Sequence, residues 1–504
     1  MKNYWIFFTL IILVLVASCR DDFETVASTG ELSFSKDTVY LDTVFTNIGS
    51  STYNLKVYNK SNNDINIPSV RLALGESSNY RLNVDGIPGK IFDNIEILAK
   101  DSIYIFVETT VDYTQVVNPL YTDEILFDNG GNMQDVHLIT LVQDAIFIKP
   151  NQDPITREID VLTLDGSETT IQGRFLDDSE LTFTNEKPYV VYGYAAVAEN
   201  KTLTINAGAK IHFHANSGLI VDKDATLKIE GELGNEVIIE GDRLEPSFSE
   251  TPGQWGVIWL RAGSKNHEIN HTTIKNGTVG ILMDSIGSNS VPTLTIKNTQ
   301  LYNNSNYGIL GREANILGEN IVINNSGQAS LACIIGGTYN FTHSTFANYW
   351  NNSFRNFPTV LINNFFTYID NGIEIIETRD LVEANFTNCI IYGSNNIELI
   401  LDNVAGSAFN YNFKNNLIGF NDFNNNFDGI SEYDFSDVVH FQNNIVNETP
   451  NFRDPFQNDL IIGEDSAGNN QASNAEAMQV PLDILGIDRT LTPDIGAYQH
   501  IIFD

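Results

Sequence analysis

Basic residues are scarce in this chain. Lysine and arginine number 28 among 504 residues, against 64 aspartates and glutamates, so the formal net charge is −36. A charge of this sign repels phosphate backbones, and we therefore exclude nucleic acid as a partner. Solubility is a sufficient explanation of the acidic balance, which by itself points to no particular cation.

Cysteine is rarer still, with three in the whole chain. None of them has the short spacing of a zinc site. Cys333 and Cys389 lie in apolar segments, two or three copies apart in a repeat that is described next. At ~4.8 Å per stacked strand they are about 10 Å or more from each other, which exceeds the reach of a disulfide. We expect both to be buried free thiols.

A short pattern recurs through the middle of the chain. It reads apolar, any, Asn or His or Glu, any, any, apolar, and its copies start 20 to 27 residues apart, at Ile269, Ile296, Leu317, Phe341, Leu361, Phe386 and Phe413. Repeats of this length built from short β-type segments are typical of solenoids. The copies are rich in Phe, Ile, Thr and Asn and show no sustained 3.6-residue apolar recurrence, which excludes a helical repeat.

We predict an all-β chain whose residues 181–504 wind into a parallel β-helix of roughly a dozen coils. Alternate side chains of each strand would point into a shared interior. Asparagine tolerates left-handed backbone geometry, so it suits the corner between two strands of a coil. We expect the corner residues to stack as a hydrogen-bonded ladder of Asn298, Asn363, Asn388 and Asn415.

The first residues have the features of an export signal. Lys2 is followed by an apolar stretch over residues 6–16 and then by Val16-Ala17-Ser18-Cys19, too short for a lasting transmembrane helix. This sequence resembles the lipobox of bacterial lipoproteins, which implies cleavage after residue 18, lipidation of Cys19 and anchoring in the outer membrane. The following Arg20-Asp21-Asp22 resembles the signal that sends some Gram-negative lipoproteins to the cell surface.

Residues 19–29 form a polar tether, and residues 30–145 consist of short alternating strands with frequent turns, which predicts a β-sandwich. The segments 45–50, 55–59 and 103–107 resemble immunoglobulin-like domains of the ASPM/SPD-2/hydin group. That resemblance implies a spacer or a binding module without catalysis. Residues 146–180 are predicted to be a connector with one hairpin at Asp165-Gly166.

From residue 181 onward the chain resembles the right-handed parallel β-helix, pectate-lyase-like proteins found among exported lipoproteins. The resemblance rests on short strand segments such as 203–211, 227–231 and 255–260, and on the stretches 450–456 and 483–498 near the end. It implies that the final stretches close the helix and cap it. An irregular polar run over residues 421–437 is predicted to project as a loop.

The catalytic motifs of familiar β-helix enzymes are missing. Polygalacturonase-like hydrolases carry Asn-x-Asp, Asp-Asp, Gly-His-Gly and Arg-x-Lys on successive coils, and the last three do not occur here as a set. No arrangement of Arg312, Arg355 and Arg379 matches a pectate lyase. We interpret the acidic group Asp370, Glu374 and Glu377 as a solvated face whose alternative role is a cation site, with calcium as the candidate ion and no other cofactor.

Histidines and aromatic residues supply the remaining candidates. His212 and His214 share one face of a strand, as metal ligands can, but no third ligand is evident from the sequence. His271 and His343 occupy the corner position of the repeat and are interpreted as structural. Four aromatic residues could stack on sugar rings, with core packing as the competing explanation: Trp255, Trp259, Tyr349 and Trp350.

These observations favour a surface-anchored, non-catalytic lipoprotein whose β-helix binds a polysaccharide or another cell-surface component. The first alternative is a polysaccharide lyase or glycoside hydrolase with an unfamiliar active site. The second is a structural stalk or adhesin. A long flat β-helix face suits a long chain-like ligand, which is why a glycan is the expected partner in the first two cases.

Overall fold

The computed structural model describes residues 25–116, 118–128, 132–284 and 291–503. The chain divides into two compact units, Met1–Asp144 and Ala145–Asp504. The lipobox and Cys19 lie outside the described residues, so the export signal stays a prediction. Within the described ranges, no helix has the length and apolar character needed to cross a membrane.

The first unit is a β-sandwich of two sheets. One sheet has the strand order β1-β5-β10-β11-β3 with β8 beside β5, and the other has the order β2-β4-β9-β6-β7. The strands are β1 Val26–Ala27, β2 Ser33–Phe34, β3 Thr38–Phe45, β4 Tyr53–Tyr58, β5 Ile65–Leu72, β6 Tyr80–Val84, β7 Ile87–Gly89, β8 Ile91–Ile97, β9 Ser102–Thr109, β10 Leu120–Asp128 and β11 Met133–Gln143, with 3₁₀ turns at Gly75–Ser77 and Tyr113–Gln115.

Strict alternation places the core of the sandwich between its sheets. On β9, Ile103, Ile105 and Val107 are buried, whereas the intervening Tyr104 and Phe106 are exposed. The buried residues join one apolar cluster to which both sheets contribute. The outer faces carry polar side chains together with exposed apolar ones, such as Tyr104 and Phe106 of β9.

The second unit is a parallel β-helix, as the repeat predicts. It contains an 11-stranded sheet of order β12-β16-β19-β22-β25-β28-β30-β32-β37-β40-β42, which gives one strand per coil, and an 18-stranded sheet that holds most of the others. Two strand pairs lie outside these sheets, β34–β35 and β43–β44.

The bounds of the β-helix strands are β12 Ile146–Ile148, β13 Val161–Leu164, β14 Ser167–Phe175, β15 Thr182–Phe183, β16 Tyr189–Val191, β17 Tyr194–Val197, β18 Thr202–Asn206, β19 Lys210–Phe213, β20 Gly218–Val221, β21 Thr226–Glu230, β22 Val237–Gly241, β23 Trp255–Leu260, β24 His267–Asn270, β25 Thr272–Lys275, β26 Gly277–Asp284, β27 Leu294–Lys297, β28 Gln300–Asn304, β29 Tyr307–Glu319, β30 Val322–Ser326, β31 Leu331–Thr342, β32 Thr345–Asn348, β33 Val360–Asn363, β34 Phe365–Asp370, β35 Ile373–Thr378, β36 Leu381–Thr387, β37 Ile390–Gly393, β38 Leu399–Asp402, β39 Asn412–Lys414, β40 Leu417–Ile418, β41 Phe441–Gln442, β42 Ile445–Val446, β43 Phe452–Asp454 and β44 Asp459–Ile462. One short helix, α1, spans Asn474–Ala477, and 3₁₀ turns occur at Asp178–Glu180, Pro246–Phe248, Ser431–Tyr433 and Pro455–Gln457.

The interior of the β-helix is a stack of equivalent apolar positions. Phe341, Phe386, Phe413 and Phe441 follow one another on successive coils, with ring centroids 5.3, 5.1 and 5.5 Å apart. Each ring covers the next, so no coil could hide its apolar side chains alone. Cys333 and Cys389 are buried free thiols in this core.

One column of corner residues has left-handed backbone geometry, which asparagine adopts at low cost. The strand register aligns one such residue from each of seven coils, His271, Asn298, Asn320, His343, Asn388, Asn415 and Asn443, with φ between 41° and 57°. The backbone N–H of each residue from His271 to Asn415 donates to the residue just before the next corner, as in His271 to Lys297 O. The column therefore continues the β-ladder through the turn.

Asn363 does not belong to that column, and its assignment to the ladder is wrong. It pairs with Asp402 across β33 and β38, and its Oδ1 accepts the backbone N–H of Ile335 at 2.8 Å. The hairpin β34–β35 is inserted directly after it, so the Leu361 copy of the sequence pattern does not turn a corner. The next true corner after His343 is Asn388.

The C-terminal stretch lies along the side of the β-helix and does not close its end. Ile484, Ala497 and Tyr498 pack on Val322 and Ala347 of the 11-stranded sheet. The predicted projecting loop instead contributes to the covering of the interior, since its side chains Phe427, Tyr433 and Phe435 pack against the core cluster. The cap that the resemblance implies for these final stretches is therefore wrong, because their apolar side chains meet the outer face of the 11-stranded sheet and not the interior.

Candidate active site

The four predicted glycan-stacking residues do not form one surface. Trp255 is 1% exposed, packs against Phe213 with ring centroids 4.9 Å apart, and donates to Lys275 O at 2.9 Å. Its assignment as a glycan contact is therefore wrong. The register of β23 shifts between Val257 and Ile258, so Trp255 points inward although Trp259 does not.

The other three aromatic side chains are half-buried and already engaged. Trp259 donates to Asp284 Oδ2 at 2.7 Å on the 18-stranded sheet. Tyr349 packs edge-on against Phe452 and Phe456, and Trp350 donates to Ser353 Oγ at 2.9 Å. Tyr349 and Trp350 follow β32 of the 11-stranded sheet, so they lie on a different sheet from Trp259.

The predicted cation ligands are not brought together. Glu377 lies opposite Phe366 in the hairpin β34–β35, and Asp370 lies opposite Ile373. These positions are four residues apart along the strand, about 13 Å, and Glu374 faces the other side of the hairpin. Glu377 instead accepts from Tyr368 Oη and Arg379, both at 3.0 Å. A calcium site at these three residues is therefore wrong.

A group with metal-ligand geometry occurs elsewhere, on the sandwich. One ligand atom each from Glu124, Asp135 and His137 lies within 4.8 Å of the others. The imidazole is contacted by Glu124 through Nδ1 at 3.3 Å and by Asp135 through Nε2 at 3.6 Å. All three side chains are about half exposed, which is the ordinary setting of a surface ion pair.

A cluster of acid–base groups lies on the outer face of the 11-stranded sheet, where β19 and β22 are neighbours. Ile211 and Phe213 of β19 point into the core, so His212 points outward. Val237 and Ile239 of β22 also point into the core, so Glu240 points outward. The parallel register places His212 beside Glu240. Two residues further along each segment, His214 lies beside Asp242.

His214 and Asp242 form a hydrogen-bonded pair. His214 Nδ1 donates to Asp242 Oδ2 at 2.7 Å. The carboxylate is 11% exposed and the imidazole 46%. The Asp242 carboxylate thus keeps a proton on Nδ1 of His214. The other ring nitrogen, Nε2, can exchange a proton with a ligand.

Tyr192 covers one face of that imidazole. The two rings are stacked with centroids 4.3 Å apart, and Lys149 Nζ lies 4.9 Å from the centroid of the tyrosine ring. Burial, reinforced by the charge of Asp242, raises the pKa of Tyr192 to about 12. Tyr192 therefore orients the imidazole as a neutral phenol.

Glu240 is the second carboxylate on this face. Its Oε2 lies 3.3 Å from Lys275 Nζ, and its Oε1 lies 3.7 Å from Nδ1 of His212. Lys275 also contacts Glu250 at 3.5 Å and Ser249 O at 3.2 Å. Burial lowers the pKa of His212, whose Nδ1 donates to Gly241 O at 3.1 Å. Glu240 therefore has Lys275 beside one carboxylate oxygen and His212 beside the other.

The loop after Asp242 is fixed by hydrogen bonds of its own and by one from Asn276. Gln254 Nε2 donates to Phe248 O at 2.6 Å and Thr251 O at 2.9 Å, and Asn276 Nδ2 donates to Ser249 O at 2.8 Å. A second column of left-handed asparagines, 276, 303 and 325, follows strands of the same sheet, and Asn325 donates to Asn303 at 2.6 Å. These asparagines lie between the copies of the repeat pattern, so the pattern does not predict this column.

A groove lies on the 18-stranded sheet, and two of its lining residues are close in sequence to residues of the site. It has a volume of about 570 Å³ and is lined on the 18-stranded sheet by Tyr194, Asn216, Gly256 and Thr278, among others. Tyr194 follows Tyr192 by two positions, and Asn216 follows His214 by two. No carboxylate lines the groove, so it can hold a ligand but supplies no acid or base.

The sequence identified His212 and His214 but not their partners. Asp242 lies 28 residues from His214, and the Glu240–Asp242 pair has no distinguishing motif. The sequence contains the patterns His-x-His and Glu-x-Asp one coil apart. They indicate a site only when the strand register is known to place them side by side.

Comparison with known proteins gives few similarities. No protein-family model and no curated protein matches the chain. A family 123 glycoside hydrolase from Clostridium perfringens that hydrolyses glycolipid glycans is 10% identical, covering 23% of this chain and 30% of that one, with a TM-score of 0.17. The catalytic unit of a thermostable GH87 alpha-1,3-glucanase from Streptomyces thermodiastaticus strain HF3-3 is 9% identical, covering 73% and 84%, with a TM-score of 0.24.

These findings correct the functional interpretation. Both of the structures named here are glycan-hydrolysing enzymes, a finding that contradicts the interpretation of this chain as a non-catalytic binding protein. At TM-scores of 0.17 and 0.24, neither superposition assigns a residue or a substrate to this chain. Those assignments depend on the side chains described above.

Proposed function

We propose that this protein is a glycoside hydrolase that cleaves a neutral polysaccharide at the site formed by His214, Glu240 and Asp242. The observation that carries the proposal is the placement of two carboxylates and an Asp-bound imidazole on one outward face. Glu240 and Asp242 are two residues apart on an extended segment, about 7 Å. Inverting hydrolases keep their acid and their base about 6.5–9.5 Å apart to admit a water molecule, so the proposal requires a similar distance between the Glu240 carboxylate and Nε2 of His214.

Each group has a chemical role in this proposal. Glu240, beside Lys275, accepts the proton of the water that attacks the anomeric carbon. His214 donates a proton to the departing glycosidic oxygen, and Asp242 stabilises the imidazolium that carries that proton. Lys275 and Tyr192 are positioning residues, since they contact Glu240 and His214 respectively.

The acidic balance favours a neutral substrate. Lyases act on uronic acid polymers, which are anionic, and a chain with a net charge of −36 repels them. The site itself contains three carboxylates, Glu240, Asp242 and Glu250, with one lysine among them. Hydrolysis of an uncharged glycan is therefore the proposed reaction, with polysaccharide as the partner.

The remaining assignments are proposals that rest on the sequence. Val16-Ala17-Ser18-Cys19 supports export and lipidation at Cys19, with the protein held in the outer membrane and facing the outside. The strand segments of the sandwich support a relationship to immunoglobulin-like domains. An extracellular glycan is accessible to a protein anchored in this way.

The test is product release from a panel of neutral and uronic acid polysaccharides. We expect new reducing ends from one or more neutral polymers, without unsaturated products. Glu240→Gln and His214→Ala should each lower kcat by a factor of about 100 or more. Asp437→Asn is the matched control, because Asp437 holds His440 at the same 2.7 Å elsewhere in the β-helix.

Three outcomes would contradict the proposal. Unsaturated products from uronic acid polymers would show a lyase. Release of reducing ends that is unchanged in Glu240→Gln and His214→Ala would place the active site elsewhere. Absence of product from every polymer, with the protein folded, would remove the hydrolase assignment altogether.

A further inference from the structure

The outer face of the five-stranded sheet of the sandwich carries exposed aromatic side chains in an ordered arrangement. Tyr104 and Phe106 alternate with the buried residues of β9 and are 47% and 41% exposed. Their ring centroids are 6.1 Å apart and their planes differ by 13°. Two nearly parallel rings at this spacing present a regular aromatic surface instead of scattered apolar contacts.

Polar groups surround these rings on the neighbouring strands. Phe106 lies between Asn54 of β4 and Asn83 of β6 in the strand register. Arg81 contacts Glu108 at 3.0 Å at one end of the face, and Lys56 Nζ lies 5.1 Å from the centroid of Tyr104 at the other. The face therefore combines an apolar strip with donors and acceptors on both sides.

One of these polar groups is an acceptor without a hydrogen-bond donor among the described residues. Asn83 Oδ1 is buried and accepts no hydrogen bond from any described residue. Buried side-chain oxygens are normally paired, and an unpaired one costs about 1–3 kcal/mol. An acceptor of this kind beside an exposed ring suits a ligand that brings a hydroxyl donor together with an apolar face.

A concave site opens at the same position. It has a volume of about 530 Å³ and is lined by Arg81, Asn83, Pro88, Lys90, Phe106 and Glu108, among others. Lys90 Nζ is already held by the carbonyl oxygens of Glu76 and Ser78 at 2.8 and 2.7 Å. The lining has charges of both signs, which is unsuited to a polyanion and equally unsuited to a purely apolar partner.

We propose that this face is a second glycan-binding site, which retains the polysaccharide that the β-helix cleaves. Sugar rings stack on Phe106 and Tyr104, a hydroxyl donates to Asn83 Oδ1, and Arg81 and Glu108 bind neighbouring hydroxyl groups. The identity of the ligand rests on the proposed function. The existence of the site rests on the sandwich alone.

The test measures binding to the same polysaccharides in a Glu240→Gln background, in which the polymer stays intact. Phe106→Ala should weaken binding about ten-fold or more, equivalent to a loss of about 1.4 kcal/mol, and Asn83→Ala should weaken it in the same direction. Tyr40→Ala is the matched control, because Tyr40 is 63% exposed on the other sheet. The thermal midpoint of all variants should stay near that of the parent, since the altered side chains lie outside the core.

The outcomes separate this inference from the proposed function. If the protein with Glu240 intact releases no product but Phe106→Ala still weakens binding ten-fold or more, the hydrolase assignment fails and the binding site stands. If the protein with Glu240 intact cleaves a glycan and Phe106→Ala binds the polymer as well as Tyr40→Ala does, the hydrolase stands and the binding site is overturned. Self-association that depends on Phe106 in the absence of any glycan would also overturn it, by showing that the face binds a second copy.

Discussion

The sandwich and the β-helix differ in where the partners of a side chain come from. In the sandwich, antiparallel strands that follow each other closely pair directly, as when β10 pairs with β11 from Leu120↔Leu141 to Asp128↔Met133. In the β-helix, strands pair with the equivalent strand one coil away, so His214 contacts a residue 28 positions later. The comparison teaches that a functional cluster on a solenoid is spread over the sequence at the period of the repeat.

The two units also differ in how many of their surface residues take part in packing or in backbone hydrogen bonds. The outer sheet face of the sandwich carries Tyr104 and Phe106, which no core position requires. On the β-helix the C-terminal stretch covers part of the 11-stranded sheet, and corner residues continue the backbone ladder. Substitutions should therefore disturb the β-helix more than the sandwich, and the following predictions test that difference.

The largest effect is expected at the buried ion pair of the β-helix. Arg355 and Glu398 are 2% and 0% exposed and contact each other at 2.7 Å, and Glu398 also accepts from Thr359 and Asn395. Glu398→Ala leaves the guanidinium buried without its carboxylate, which costs about 3–5 kcal/mol. In the sandwich, Arg81 and Glu108 form an exposed pair. Glu108→Ala should therefore lower the free energy of unfolding by about 1 kcal/mol or less. Denaturant unfolding of both variants measures the contrast, and equal losses would refute it.

Aromatic stacking gives the next largest effect. Phe386 lies between Phe341 and Phe413 in the core, so Phe386→Ala should lower the free energy of unfolding by about 3–5 kcal/mol. Phe386→Leu retains most of the apolar volume and should cost clearly less. In the sandwich, the fully buried Leu55 is the matched position, with about 2–5 kcal/mol expected for Leu55→Ala. A Phe386→Ala variant as stable as Phe386→Leu would show that the stack contributes little.

Acid should destabilise the β-helix through its buried histidines. Burial lowers the pKa of His267 to about 3, while its two ring nitrogens bond Leu227 N–H and Ser264 Oγ. The unfolded chain binds a proton at an ordinary histidine pKa near 6.5 and the folded chain does not, so stability falls as the pH drops below ~6.5. At pH 5 the loss from this residue should be about 2 kcal/mol.

The control for the acid prediction is His267→Gln, which removes the titrating group. Its free energy of unfolding should be lower than that of the parent at pH 7 but should depend less steeply on pH between 7 and 5. Burial lowers the pKa values of His212 and His343 as well, so a residual slope is expected. The sandwich has one histidine, the half-exposed His137. An unchanged slope in His267→Gln would contradict the prediction.

The smallest effect is expected at a corner. Asn388 has φ 57°, and its side chain bonds His343 Nε2 at 2.9 Å and Ser473 N–H at 2.8 Å. Asn388→Ala loses these bonds and adds a strained backbone of about 1–2 kcal/mol, whereas Asn388→Gly loses the bonds alone. The difference in unfolding free energy between the two variants isolates the backbone term. The comparable position in the sandwich is the hairpin residue Asp85, with φ 49°, and a similar difference there would show that the strain is common to both units.

The sequence predicts the strands and corners of the fold better than it predicts strand register and the direction of side chains. The recurrence of Asn298, Asn388 and Asn415 after short apolar strands was sufficient to predict coils and corners, because left-handed geometry selects asparagine locally. The same pattern misled at Asn363, where an inserted hairpin interrupts the coil. It also could not show that Trp255 points inward, because the register shift in β23 reverses the alternation.

The sequence by itself determined that the chain is all-β, that it has a sandwich followed by a solenoid, and that its charge is unsuited to nucleic acid, since periodicity and composition are local or additive properties. Only the tertiary structure decided that His214 meets Asp242, that Glu240 shares their face, and that the C-terminal stretch lies along a sheet. The physical reason is register: a one-residue slip of β22 against β19 would turn Glu240 into the core and separate the pair, and the apolar alternation that prevents this slip does not by itself show which two strands are neighbours.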